Sequence, residues 1–438
     1  MTGPQKQHPK PAAKQPLGFA SRNAALRLLS GVQVERRMMS DLIASPELGI
    51  GELPPPDRAR AQRLASGVLR HLTRLDAIID PHLDRPPPLR ARNALRLAAW
   101  EILVDGVAPH AAVDMAVTLC RAGQKTARFA GLVNAVARKL PDMADVFAAA
   151  PPPVLPKPLR TPLIKAVGKA RTLAIEAAHL SEPPVDITPR DPADLTSLAD
   201  RLGGVVLPTG SIRLRQPGQI TALPGFAEGE WWVQDAAAAI PARLLGDVAG
   251  ARVLDLCAAP GGKTMQLAAA GAAVTAVDSA ATRLPRLKEN LLRTGLSAEV
   301  VKADATRWMP EGRFDAILLD APCSATGTIR RHPDLPHMRD NTDLRPLFAL
   351  QETLLRRALD WLTPGGRLVY CTCSLLPGEG EFQVAKITET AATIPVNAAA
   401  AGIPDDWITD AGHLRSAPDF WADKGGVDGF FAAILTAR

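Results

Sequence analysis

The chain has 438 residues, is 47% hydrophobic and 22% charged, and carries five cysteines and a formal net charge of +6. That length calls for two or three domains, each large enough to bury its own core. No run nears the roughly eighteen consecutive apolar residues of a membrane span, and the cysteine spacings form no disulfide framework, which indicates a reducing cytoplasm.

The charge is uneven. Residues 1–145 hold 21 Lys/Arg and 13 Asp/Glu, a balance of +8; the remainder hold 30 and 32, a balance of −2. A basic N-terminal third suits contact with a phosphate backbone. Residues 1–16, polar and rich in Pro, Lys and Gln without an apolar segment, read as a flexible tail and not a signal peptide.

Residues 17–145 read as an all-helical domain. Apolar residues recur at three- and four-residue spacings over Ala20–Ala44, Asp57–Leu83, Leu89–Gly106, His110–Gly123 and Ala127–Leu140. Pro54-Pro55-Pro56 and Pro86-Pro87-Pro88 punctuate them. Residues 146–162, with six prolines from Pro151 onward, read as a linker. Residues 163–232 form a small mixed subdomain, with a helix over Leu163–Leu180 and strands near Gly204–Leu207 and Ile212–Leu214.

From residue 233 to 438 short apolar runs alternate with helices. Strands are predicted at Arg252–Leu256, Ala273–Asp278, Glu299–Ala303, Phe314–Asp320, Arg367–Cys373 and Gly429–Leu435. Helices are predicted at Lys263–Ala270, Ala280–Thr294 and Leu344–Leu362. This alternation makes an α/β fold with a doubly wound, Rossmann-like parallel sheet. Such sheets bind ligands beyond the carboxyl ends of their strands.

Three segments at those ends carry chemistry. The first is Cys257-Ala258-Ala259-Pro260-Gly261-Gly262-Lys263, a loop of small residues running into a helix N-terminus. It matches neither the dinucleotide fingerprint nor the phosphate loop, which needs an earlier glycine. Asp278 and Asp304 end the next two strands; an acid at each position suits a ribose and an adenine edge, as in S-adenosylmethionine sites. Helix capping is the alternative reading of both, and the acid after the third strand favours the S-adenosylmethionine site.

The second segment delivers Asp320 and Cys323 in Asp320-Ala321-Pro322-Cys323, and the third delivers Cys371-Thr372-Cys373. Carbon 5 of cytosine is a poor nucleophile until a thiolate adds at carbon 6. Charge then builds at nitrogen 3, where the Asp320 carboxyl is placed to share a proton. Lys263 is a candidate for lowering the thiol's pKa. Cys373 lies nearer the rim, but the chemistry alone leaves open which of Cys323 and Cys373 attacks. Cys120, Cys257 and Cys371 read as small buried hydrophobes. Cys371-Thr372-Cys373 lacks the spacing and the four ligands of structural zinc, so no metal is expected.

These segments resemble the NOL1/NOP2/Sun family of RNA (cytosine-5) methyltransferases, in its bacterial 16S ribosomal RNA branch. The likeness is carried by Leu254–Thr264, Leu319–Gly327, Arg330–Asp334, Thr372–Ser374, Asp428–Phe431 and Gln234-Asp235. The helical region resembles the antitermination factor NusB in Ala65–Arg70, Leu95–Trp100, Pro109–Val113 and Gly131–Arg138. The resemblance implies S-adenosylmethionine as methyl donor, bound by Cys257–Lys263, Asp278, Asp304 and Asp320. It implies Cys373 as nucleophile and Cys323 as the thiol that aids release. It also implies a monomer that acts on RNA and not on DNA or a membrane. Pro184–Arg190, Pro377–Gly380 and Ile434 depart from the family pattern. Two other functions are weighed against this one: the same chemistry on tRNA, and a ribosome-assembly protein that binds RNA without catalysis. Retention of Asp320, Cys323 and Cys373 together argues against the latter.

Overall fold

The computed structural model describes residues 16–215, 217–339 and 343–438. The predicted tail, residues 1–16, lies outside them except for Pro16. The chain divides into two compact units, Met1–Pro153 and Val154–Arg438.

The first unit is helical throughout its described residues: Phe19–Ser30, Met39–Ala44, Pro55–Arg70, Leu72–Ile79, Leu89–Leu103, Pro109–Arg121, Ala130–Ala137 and Ala144–Ala149. The single helix predicted over Ala20–Ala44 is broken. A π-helical turn covers Gly31–Glu35, and Arg36 takes a left-handed φ of 55° that ends the helical path. The stretch Asp57–Leu83 likewise divides at His71, whose φ is −110°. Leu26, Leu28, Leu64, Leu75 and Leu95 are fully buried, and Arg22 pairs with buried Glu101 at 2.6 Å among them.

The second unit opens with the helix Lys157–Ala178, kinked at Gly168. It therefore begins inside the stretch read as a linker. A four-stranded antiparallel sheet follows: β1 (Val185–Pro189), β2 (Val205–Val206), β3 (Ile212–Leu214) and β4 (Trp231–Val233), in the order β2-β3-β1-β4. Strands β1 and β4 were not predicted. Asp186 on β1 accepts two 2.7 Å hydrogen bonds from Arg213 on β3. Asp186 also accepts from the Ala236 N–H, which opens the next helix, Ala236–Arg243, so the small sheet is braced to the larger fold.

The main sheet holds β5 (Arg252–Leu256), β6 (Ala273–Asp278), β7 (Glu299–Lys302), β8 (Phe314–Asp320), β9 (Leu362–Thr372), β10 (Ala391–Ile394), β11 (Leu414–Arg415) and β12 (Phe431–Ala437). Its order is β10-β12-β9-β8-β5-β6-β7, with β11 paired to β12. Strands β5 to β9 are parallel, as predicted. The far edge is not: β12 inserts between β9 and β10, antiparallel to both. This reversal brings the start of β12 to the carboxyl end of β9, with Phe431 opposite Thr372.

The strands are apolar on both faces because both are covered. Val253, Ala316, Leu318, Val369 and Cys371 enter one core, and Leu254, Leu256, Ile317, Leu319, Leu368 and Tyr370 enter the other. Among the described residues no helix is long and apolar enough to cross a membrane.

Candidate active site

The order of the sheet reverses between β5 and β8, and the crevice beyond their carboxyl ends is where such a fold takes a ligand. The small-residue loop leaves β5 there. Cys257 has a left-handed φ of 63° and Gly261 a φ of 103°, so the loop turns tightly before the helix Gly262–Ala269. Asp278, at the end of β6, clamps it. One carboxylate oxygen accepts from the Ala259 N–H at 3.0 Å and the other from the Ala280 N–H at 2.8 Å. Asp304, exposed after β7, accepts from the N–H and the hydroxyl of Thr306, and these bonds hold its pKa below the ordinary value. Cys257, Asp278, Asp304, Pro322 and Leu350 line one cleft. Asp255, at the base of the loop, accepts from the Thr264 hydroxyl at 2.6 Å with one oxygen, while the other lies buried without a partner among the described residues. Burial pushes its carboxyl pKa up to about 7.

The reacting groups meet at the ends of β8 and β9. Lys263 Nζ lies 2.6 Å from Asp320 Oδ2, and the Cys371 thiol points at Asp320 Oδ1 from 3.6 Å. The Cys323 and Cys373 sulfurs are 3.4 Å apart. Their hydrogen bond is the chief reason that Cys323 is held as a thiol, with burial second. Cys371 is buried and its pKa is raised by that burial. Burial works against the charge of Lys263, but the Asp320 carboxylate holds the ammonium protonated. The predicted Lys263, Asp320, Cys323 and Cys373 thus stand together, and Cys257, Asp278 and Asp304 line the neighbouring cleft.

Sequence reasoning missed the frame around them. Arg330, fully buried, bonds Asp235 at 2.5 Å and Asp428 at 2.8 Å, which joins the entrance of the fold to the start of its last strand. Arg331 bonds the same Asp428, whose carboxylate raises its pKa against the effect of burial. Gly327 and Gly429 stack backbone on backbone: a Cβ on Gly327 would fall 1.9 Å from the Gly429 carbonyl oxygen. That contact accounts for the glycine in each motif. Phe430 lies under Lys263, whose Nζ is 5.2 Å from the ring centroid. Glu379 is buried between the two thiol-bearing loops. The sequence signal for Asp235, Gly327, Arg330, Asp428, Gly429 and Phe430 is their place inside the motifs, whereas Glu379 lies in a stretch that departs from them, and nothing local marks Arg330 or Glu379 as buried.

A sheet of this order, a cofactor-type loop at its switch point and acids and thiols on the adjoining strand ends define a Rossmann-like methyltransferase. A ribosomal RNA small subunit methyltransferase B from Salmonella arizonae is 35% identical over 411 residues, 87% of this chain and 91% of the relative. The chain belongs to the RsmB/F family of 16S rRNA methyltransferases, whose description matches residues 242–436. The NusB family matches residues 20–142. A namesake from Klebsiella pneumoniae is 38% identical over 353 residues, 75% of this chain and 81% of the relative. Among solved structures, PH0851 superposes with a TM-score of 0.71 at 22% identity over 98% of this chain and all of its own. A methyltransferase homolog from Pyrococcus horikoshii gives 0.53 at 27% identity, over 64% of this chain and 93% of its own.

Proposed function

We propose that this protein methylates carbon 5 of a cytosine in 16S ribosomal RNA, with S-adenosylmethionine as donor and Cys373 as covalent nucleophile. The observation that carries the reading is the 3.4 Å approach of Cys323 and Cys373 beside the Lys263–Asp320 pair. A lone thiol would suit many chemistries. Two thiols in contact, with an acid and a cation on the same rim, suit an addition that must later be reversed.

The donor set fits the cofactor. Asp278 and Asp304 offer acceptors for hydroxyl and amino groups, and Pro322 and Leu350 offer apolar surface for a base. Loop residues Cys257 to Lys263 would hold the remainder. When bound, S-adenosylmethionine supplies the methyl group that carbon 5 takes.

The chain's own groups do the rest. The Cys373 thiolate bonds to carbon 6, and the electron pair of the 5,6 double bond moves to carbon 5. Asp320 meets the nitrogen 3 edge and shares a proton with it as negative charge builds there, and Lys263 balances the carboxylate that this leaves. After methylation the carbon 5 proton departs to solvent, the double bond re-forms and the bond to Cys373 breaks. Cys323, still a thiol, donates to the departing sulfur and stabilises it as a thiolate. Residues 17–145 are assigned to RNA binding, 163–232 to a small pre-catalytic subdomain and 233–438 to catalysis, in a monomer working in the cytoplasm. Bisulfite mapping of 16S rRNA and tRNA from cells with and without the protein tests this. Loss of one 16S position is the expected result. Loss of a tRNA position, or of none, contradicts it.

A further inference from the structure

We infer that Glu379 is a positioning residue, which sets the two thiols against each other by holding the residue after each of them. The inference deepens the covalent reading above and rests on it.

Glu379 is 0% exposed. Among the described residues its carboxylate is held by four donors and not by an ion pair. One oxygen accepts from the Ser324 N–H at 2.8 Å and from the Gln351 amide at 3.1 Å. The other accepts from the Ser324 and Ser374 hydroxyls, each at 2.5 Å. Ser324 follows Cys323, and Ser374 follows Cys373. Gln351 also donates to the carbonyl of Pro322, on the other side of Cys323. The backbone of Glu379 is fixed in turn, because the Tyr370 hydroxyl on β9 donates to its carbonyl at 2.7 Å.

A buried carboxylate is costly unless its oxygens are filled, and here every donor comes from the two loops or their support. Sulfur–sulfur contact falls off steeply with separation, so small shifts at Ser324 and Ser374 pass directly to the thiols. Glutamine is isosteric: its oxygen keeps the Ser324 and Gln351 donors, and its nitrogen donates to hydroxyls that turn to accept. Aspartate keeps the charge but ends about 1.5 Å short, one carbon–carbon bond.

The two substitutions therefore separate shape from charge. Full-length wild type, Glu379→Gln and Glu379→Asp are mixed with S-adenosylmethionine and a 16S rRNA fragment bearing 5-fluorocytosine. Carbon 5 of that base cannot release fluorine as a cation, so the protein–RNA adduct persists and its formation rate is read on a denaturing gel. We expect Glu379→Gln within about fivefold of wild type and Glu379→Asp slower by about twentyfold or more, with cofactor and RNA Kd within about twofold for both. Equal rates in all three proteins, or the reverse ranking, overturn the inference. If Glu379→Asp does not fold, Glu379→Gln decides alone, and a loss beyond about twentyfold overturns it. A wild type that forms no adduct overturns the covalent reading itself, and this inference with it.

Discussion

The sulfurs of Cys323 and Cys373 lie 3.4 Å apart across fifty residues of sequence. Neither strand end achieves this alone. The β8 and β9 ends are tied by the Ala321 N–H to the Cys371 carbonyl at 2.9 Å and by the Gly327 N–H to the Cys373 carbonyl at 3.0 Å. Between those two rungs the Pro322-Cys323 turn is carried over the end of β9.

On the proposed mechanism, Cys373→Ala removes the thiol that adds to carbon 6 of the cytosine. Methyl transfer falls by about a thousandfold or more, while S-adenosylmethionine binding stays within about twofold, because Cys373 does not line the cofactor cleft. Single-turnover kinetics and calorimetry check the two halves separately.

Lys263→Met leaves Asp320 without the ammonium 2.6 Å away. An uncompensated, partly buried carboxylate is costly and repels the charge that builds on the ring. The expected loss in kcat is about a hundredfold, measured with saturating RNA.

Asp255 makes stability depend on pH. Its carboxyl pKa is raised by burial from 3.8 to about 7, so the folded protein binds a proton that the unfolded chain has already released across that window. A raised acid pKa is a penalty on the charged form: stability falls as pH rises from about 4 to about 7, by up to about 1.4 kcal/mol per pH unit. Asp255→Asn keeps an acceptor for Thr264 and removes the titration. Its stability relative to wild type should improve between pH 5 and pH 8 in urea melts of the cofactor-free protein.

Arg121, Lys125 and Arg128 are exposed on the helical unit. Changing all three to alanine should weaken RNA binding by about tenfold at moderate salt and make the dependence on salt shallower, since fewer counterions are released. An unchanged slope would mean that this basic face serves another partner.

Much of the site was legible because its chemistry is compressed into short segments. Asp320, Cys323 and Cys373 directly follow or end apolar strand runs, which sets them on the carboxyl rim of a parallel sheet. The parallel strands β5 to β9 were legible as continuous apolar runs. The direction of β12 was not, since alternation along a strand is the same in either sense. Strand β1 was hidden because Pro184, Asp186 and Pro189 resemble a turn, and burial of Asp186 becomes tolerable through Arg213 and the Ala236 N–H, both distant in sequence. Glu379 lay in a stretch that departs from the family pattern, and burial of a charged residue is set by partners distant in sequence.

The most direct test of the covalent account is Cys323→Ala mixed with 16S rRNA and S-adenosylmethionine, denatured, digested and sequenced by mass spectrometry. The account predicts a methylated cytosine adduct that accumulates on Cys373, because the thiol that helps it leave is gone. An adduct on any other residue, or rapid turnover with none, would contradict it.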